Sequence, residues 1–238
     1  MSQAFPLLLR ARERTRLQRG YEIWRFSRPT TCSDLRPGHW LEWAATEARG
    51  QRRGFLMETD DATLTALSHT PEGRPNVAPT DEFQLLQIGG TAWPIPAATN
   101  GGLILVEESA LACAVFFSAT LRRQLSSTPP LLVIAQWNAA PLKLQPSRLI
   151  IPHLPPDTIA AVPLLEDWLI ASRVADPTGR PGCYEGPAVE LADHYLSALD
   201  WAYRATLSVW VAGSGEFVAA ALRLTARYGL STHVSSAA

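Results

Sequence analysis

The sequence predicts two domains in tandem: a small antiparallel β-barrel or sandwich followed by a doubly wound, parallel-sheet α/β domain. Three observations carry this expectation. Residues 5–100 break into short strand-like pieces separated by turn residues, as in small barrels and sandwiches. The second half instead alternates continuous apolar runs with amphipathic helical stretches, which suits a parallel sheet covered on both faces. Between them, residues 96–102 form a Pro/Ala/Asn/Gly stretch that suits a linker, so the expected domains are 1–99 and 100–238.

The strand candidates of the first half are 7–12, 21–27, 39–45, 54–58, 63–67 and 83–87. Arg36-Pro37-Gly38, Pro71-Glu72-Gly73 and Gly89-Gly90 supply turns between them. Trp24, Trp40, Trp43 and Trp93 are expected to fill the barrel core. The second half opens with the apolar run 103–106 and a helix over 110–124. Then follow apolar pieces at 131–135 and 148–151, a short helix at 159–168 and a strand at 169–175. A long helix over 187–203, a strand at 208–212, a helix at 216–228 and a last strand at 231–235 complete it. In such sheets ligands sit beyond the carboxyl ends of the strands, where the strand order reverses. The residues after Val106, Ala135 and Ala212 are therefore the places to look for chemistry.

Composition removes several function classes. With 238 residues, 47% hydrophobic and 18% charged, the chain can build a substantial core and is not disordered throughout. A net charge of −1 lacks the electrostatic footprint of a general nucleic-acid binder. Lys143 is the single lysine and follows no Gly-rich loop, so no phosphate-gripping P-loop is present. Cys32, Cys113 and Cys183 lie far apart with no CxxC pair, which argues against a zinc ribbon or an iron–sulfur cluster supplied by this chain. Three scattered cysteines suit free thiols in a reducing compartment. The N-terminal apolar run is three leucines followed by charge, unlike a signal peptide, and no stretch reaches the roughly 18–20 apolar residues of a membrane span. The expectation is a cytoplasmic protein without membrane insertion.

Five stretches stand in a telling order along the chain: Arg36-Pro37-Gly38-His39-Trp40, Arg52-Arg53-Gly54-Phe55-Leu56, residues 103–116, Pro181-Gly182-Cys183-Tyr184-Glu185-Gly186, and residues 209–218. Their layout resembles the ferredoxin–NADP reductase superfamily, with the nearest likeness to the electron-transfer subunits associated with dihydroorotate dehydrogenase. The first looks like the family's Pro-Gly-Gln entry to a barrel strand, and the second like its Arg-Pro-(Tyr/Phe)-(Ser/Thr) flavin motif. The third occupies the place of the Gly-rich nucleotide loop, and the last that of Cys-Gly-Pro. None of these motifs is intact.

The resemblance implies a flavin-type antiparallel barrel at 1–99, a nucleotide-type α/β domain at 100–238, and a role for each surviving residue. Arg53 would bind a phosphate of FAD or FMN and Phe55 would lie against the flavin, but the motif's hydroxyl is Leu56, which cannot donate. The plainer reading of the same residues is a strand with an exposed arginine pair and a core Phe55. The flavin pyrophosphate would meet residues 68–75, where Pro71 and Pro75 remove N–H donors and Arg74 is a candidate phosphate partner or a loop-tip charge. Val106-Glu107-Glu108-Ser109 puts two carboxylates where the family places glycines. Side chains there block a pyrophosphate, and like charges repel it by roughly 1 kcal/mol at ~4 Å even in water. The alternative reading makes both glutamates dipole partners of the following helix, with Ser109 as its cap. Gly213 and Gly215 keep a pliable strand-to-helix turn, a candidate phosphate contact, while Ala212 replaces the family's cysteine. The sequence stops where the dihydroorotate-type relatives begin their [2Fe–2S] loop, so no cluster is expected from this chain.

Other candidates read as structural. Glu190 and His194 form a helical i,i+4 pair, His39, His69, His153 and His233 are scattered, and Gly213-Ser214-Gly215 lacks the spacing of a nucleophile elbow. No catalytic residue is assigned. Two functions are in contention. One is a non-catalytic or accessory relative with impaired NAD(P) binding, serving a redox subunit or paralogue. The other is an FAD- or FMN-binding oxidoreductase that passes electrons to a protein partner.

Overall fold

Strict alternation of apolar side chains builds the first half. The computed structural model describes residues 7–32, 34–45, 51–70, 82–96, 101–125, 129–138 and 142–236. Strands β1 (Leu7–Arg16), β2 (Tyr21–Ser27), β3 (Trp40–Ala45), β4 (Gln51–Thr59), β5 (Thr63–His69) and β6 (Glu82–Gly89) close into an antiparallel barrel of order β1-β2-β5-β4-β3-β6. Every second residue points inward, so Leu9, Trp24, Phe26, Leu41, Trp43, Leu56, Leu64 and Phe83 form its core. The aromatic rings meet edge-on, Trp24 with Phe83 at 5.1 Å and Phe26 with Trp43 at 5.4 Å. Trp40 and Trp93 depart from the expectation. Trp40 shares the outward face of β3, and both belong to the core between the barrel and the second half.

The second half is a five-stranded parallel sheet. Strands β7 (Gly102–Glu107), β8 (Leu131–Gln136), β11 (Ala171–Ala175), β12 (Ser208–Gly213) and β13 (Ser231–Ser236) lie in the order β11-β8-β7-β12-β13. The reversal falls between β7 and β12. Helices α1 (Leu111–Gln124) and α2 (Pro163–Asp167) cover one face with Ile104, Val106, Val133 and Ala212. Helices α3 (Ala188–Ala198) and α5 (Gly215–Arg227) cover the other with Leu103, Leu105, Ile134 and Val211. Because both faces are covered, the strands read as unbroken apolar runs rather than alternation.

Three local expectations are corrected. Residues 148–151 form no strand. The two-residue strands β9 (Gln145–Pro146) and β10 (Ala160–Ala161) pair instead, so the helix expected at 159–168 is reduced to α2. The helix expected over 187–203 breaks at Leu199, which is extended. Asp200 then caps the short helix α4 (Trp201–Arg204) by accepting from the Ala202 and Tyr203 amides. Helix α1 is preceded by a tight 3-10 turn, Glu108–Ala110. Its Ser109 lies inside that turn, and neither it nor Glu107 caps by side chain.

Helix α1 lies between the barrel and the sheet, packed on β4 and β7. The C-terminal strand is tied to the barrel as well: Trp40 Nε1 donates to the Ser236 carbonyl at 3.1 Å, and Ser235 Oγ donates to the Gly38 carbonyl. Among the described residues no helix is long and apolar enough to cross a membrane. The three cysteines are free thiols.

Candidate functional site

Where parallel strands reverse order, the ends of β7 and β12 diverge and leave a crevice beside the helices that follow. Here that crevice opens toward the barrel, because the Glu108–Ala110 turn abuts β4 and β5. There Glu107 meets Gly213 and Ser214, Glu108 meets Tyr21 beside His69, and the turn packs on β4, the strand that carries Arg53 and Phe55.

Two of the helix starts at this edge, those of α5 and α3, are satisfied from within. The Ser214 amide, at the start of α5, donates to Glu107 Oε2 at 2.8 Å, and Ser214 Oγ accepts from the Phe217 amide at 3.3 Å. One strand further on, the Ala188 amide that opens α3 donates to Gln136 Oε1 at 2.9 Å. Helix N-termini are where a pyrophosphate finds backbone donors and a favourable dipole. In this chain the side chain that ends each neighbouring strand already occupies that position. Gly213 is needed for the fit: a Cβ there would come within 2.9 Å of Glu107 Cβ and 2.8 Å of Phe217 Cδ1. Gly215 has open space around it, and a Cβ there would meet nothing within 4 Å.

Glu107 is thus a partner of a helix start, but of α5 and not of the helix that follows it in sequence. Glu108 is placed differently. It holds a φ of 47°, in the left-handed region that glycine adopts freely and other residues at a cost. The backbone therefore still follows a glycine-type path at the position where a glutamate now stands. The Glu108 carboxylate reaches the Tyr21 hydroxyl, which also accepts from Trp137 Nε1 at 3.3 Å. Tyr21 stacks on His69 at 4.3 Å. Burial first, and then the neighbouring Glu108 charge, push the Tyr21 phenol well above its ordinary range, so it stays protonated.

The flavin-motif residues divide between the two faces of β4. Arg53 points outward, with its guanidinium 4.5 Å over the Trp40 ring and 3.7 Å from Glu42. Phe55, on the same face, is only 4% exposed and sits in the core between the domains with Trp40, Leu67 and Leu111. Leu56 is wholly buried inside the barrel. Arg52 is not the exposed neighbour that the plainer reading made it: it is buried against Glu22 at 2.7 Å. Arg74 lies outside the described residues. Glu190 accepts from the Tyr184 hydroxyl at 3.4 Å, and His194 sets its ring edge-on to Tyr184 at 5.8 Å. Among the described residues no cluster of His, Cys, Asp or Glu could hold a metal ion.

The sequence reading singled out Glu107, Glu108, Gly213 and the Arg53–Phe55 stretch; the structure joins Glu107 to Gly213 and Ser214, turns Glu108 to Tyr21, and leaves Arg53 over Trp40 and Phe55 in the core. That reading missed Tyr21, Trp137 and Gln136, and it took Ser214 only as part of a strand-to-helix turn. A strand-initial tyrosine and a tryptophan just past a strand end carry no local signal, although Gln136 directly follows the flagged Ala135.

No protein-family model matches the sequence, and no curated protein matches it. Solved structures with the same fold are numerous. The ferredoxin reductase of carbazole 1,9a-dioxygenase is 14% identical, with a TM-score of 0.70 over 98% of this chain and 69% of its own. A ferredoxin NADP+ reductase from Neisseria gonorrhoeae, solved with bound FAD and NADP, is 11% identical, with a TM-score of 0.64 over 98% of this chain and 99% of its own. The FAD/NAD-binding domain of the nitric oxide dioxygenase from Vibrio cholerae is 13% identical, with a TM-score of 0.63 over 95% of this chain and 97% of its own. In its FAD apo form, the carbazole dioxygenase reductase is covered over 66% of its length, so this chain spans about two thirds of it.

Proposed function

We propose that this chain, which has the two-domain fold of the ferredoxin reductases, is a non-catalytic accessory relative of them that does not use a pyridine nucleotide. Its scaffold would serve a protein partner, a redox subunit or an intact paralogue. The observation that carries this reading is the Glu107 carboxylate on the Ser214 amide. A dinucleotide's diphosphate and a carboxylate are both anions and compete for the same donor, and their mutual repulsion strengthens as water is excluded. The left-handed Glu108 supports it, because a glycine-type backbone filled by a charged side chain fits a nucleotide loop freed from its ligand.

The residues that remain also fit a flavin poorly. The ring that would lie against the isoalloxazine is part of the protein's own core, and Leu56 faces the barrel interior. Arg53 keeps an outward position, and Phe55 shares its face of β4 but is buried in the core.

The test is a visible spectrum and a melting curve of the purified protein, with FAD, FMN, NADH and NADPH added in turn. The expected result is a colourless protein whose melting temperature none of the four shifts. A stoichiometric flavin band that survives gel filtration would overturn the proposal and favour an FAD- or FMN-binding electron-transfer component.

A further inference from the structure

At the other end of α1 the two domains do not meet flush. Against the outer walls of β2, β4 and β5, helices α1 and α2 leave a groove of 640 Å³. It continues into a smaller pocket of 210 Å³. Ile23, Met57, Val115 and Leu164 line both volumes, so they join along an apolar seam. The larger volume lies toward the opposite end of β2 and β5 from Tyr21 and His69, and the smaller one runs back along α1 to Leu67, Leu111 and Ala112, beside the core that holds Phe55.

The strand is shaped for it. β4 carries a bulge: Leu56 pairs with Ala66 and Glu58 with Thr65, leaving Met57 as the extra residue. In a regular strand Met57 and Glu58 would face opposite sides. Because of the bulge both line the groove. Bulges re-aim side chains in this way at binding sites.

Charge and polarity divide along the groove. The smaller pocket is walled by aliphatic and thioether side chains, and Lys143 is its one charged lining residue. The larger volume is rimmed by Arg25, Arg122 and Arg123 against the single carboxylate Glu58. The Arg122 guanidinium sits over the Trp168 ring, its Cζ 5.1 Å from the ring centre, an attraction that favours its place at the rim. Arg25 also reaches Glu13 at 3.8 Å on the barrel surface.

We propose that this groove binds a medium-chain fatty acid, with its hydrocarbon tail along the apolar seam and its carboxylate among Arg122, Arg123 and Arg25. Both volumes together are of the size of small-molecule sites, which combine an apolar lining with few polar groups. A neutral hydrocarbon would leave the cationic rim unused, and a small hydrophilic anion would leave the seam wet. An amphipathic anion satisfies both.

Calorimetric titration of the full chain with octanoate, decanoate and dodecanoate, each below its micelle concentration, tests this. Saturable one-to-one binding is expected, tightening about fourfold per added methylene, the factor for burying one such group. Dodecanol is expected to bind at least about tenfold more weakly than dodecanoate, and the Arg122→Ala/Arg123→Ala variant to lose a similar factor for dodecanoate alone. Both arginines are exposed on α1, so circular dichroism and melting of the variant should match the parent. Should that variant fold poorly, Arg25→Ala gives the same reading. Absence of saturable binding, equal affinity for dodecanol, or unchanged affinity in the arginine variants would overturn the proposal. So would a dimer in sedimentation that dodecanoate does not dissociate, because a second copy would then own the groove.

Discussion

Arg52 and Arg53 are neighbours in sequence and face opposite ways in the fold. Arg52 turns into the barrel, where Nη1 donates to Glu22 Oε2 at 2.7 Å and to Thr70 Oγ1 at 2.6 Å, beside the Trp24 ring. Glu22 also holds Arg14 and accepts from Trp24 Nε1 at 3.1 Å, so one buried carboxylate ties together the end of the barrel. Arg53 turns outward over Trp40, its side chain 35% exposed, with Glu42 at 3.7 Å. The lesson is that a strand's two-residue period decides which arginine lies inside the barrel and which lies on its outer face. Residue type and spacing alone assign the same role to both.

The contrast is broken or sharpened most strongly at Glu22. Replacing it with alanine strands the buried Arg52 guanidinium, and the expected cost is about 3–5 kcal/mol in urea unfolding. A loss below about 1 kcal/mol would mean that water reaches Arg52 and that the two arginines are alike. The next effect in size concerns the crevice at the ends of β7 and β12. Glu107→Gly together with Glu108→Gly removes the carboxylate from the Ser214 amide and restores glycine at the left-handed position. NADH affinity, read by fluorescence titration, is expected to rise about tenfold. Unchanged affinity would place the obstacle in other contacts, such as Gln136 at the start of α3. The smallest effect is expected for Arg53→Ala. A partly exposed ion pair contributes little, so the stability change should stay within about 1 kcal/mol. A larger loss would show that Arg53 is as structural as Arg52.

Much of the architecture was legible from periodicity. The strand at 21–27 has the expected bounds, and the apolar runs 103–106 and 131–135 become β7 and β8, each lengthened by a residue or two. What was not legible depended on pairs far apart in the chain. One exception is local: the helix over 187–203 breaks at Leu199, and Asp200 caps the restart two and three residues on, which the apolar period alone does not register. Trp40 and Trp93 read as barrel bulk, yet they lie between the domains, because the sequence cannot say which face of a strand a neighbouring domain will cover. Glu107 reads locally as a partner of the helix after it. Its actual partner, Ser214, is 107 residues away.

Hydrophobic period, turn residues and missing motifs were enough to determine the order of a barrel and a helix-covered parallel sheet, together with the odd acidic pair at the end of β7. These depend on short-range rules: which side of a strand or helix an apolar residue must bury. Only the tertiary structure decided that Glu107 satisfies an amide at the start of the distant helix α5, that Phe55 belongs to the core, and that a bulge opens a cationic groove beside α1. Each of those depends on which surfaces meet when distant segments pack. That choice is made by burying the most apolar area while leaving the fewest polar groups unpaired, and no local window of residues contains it.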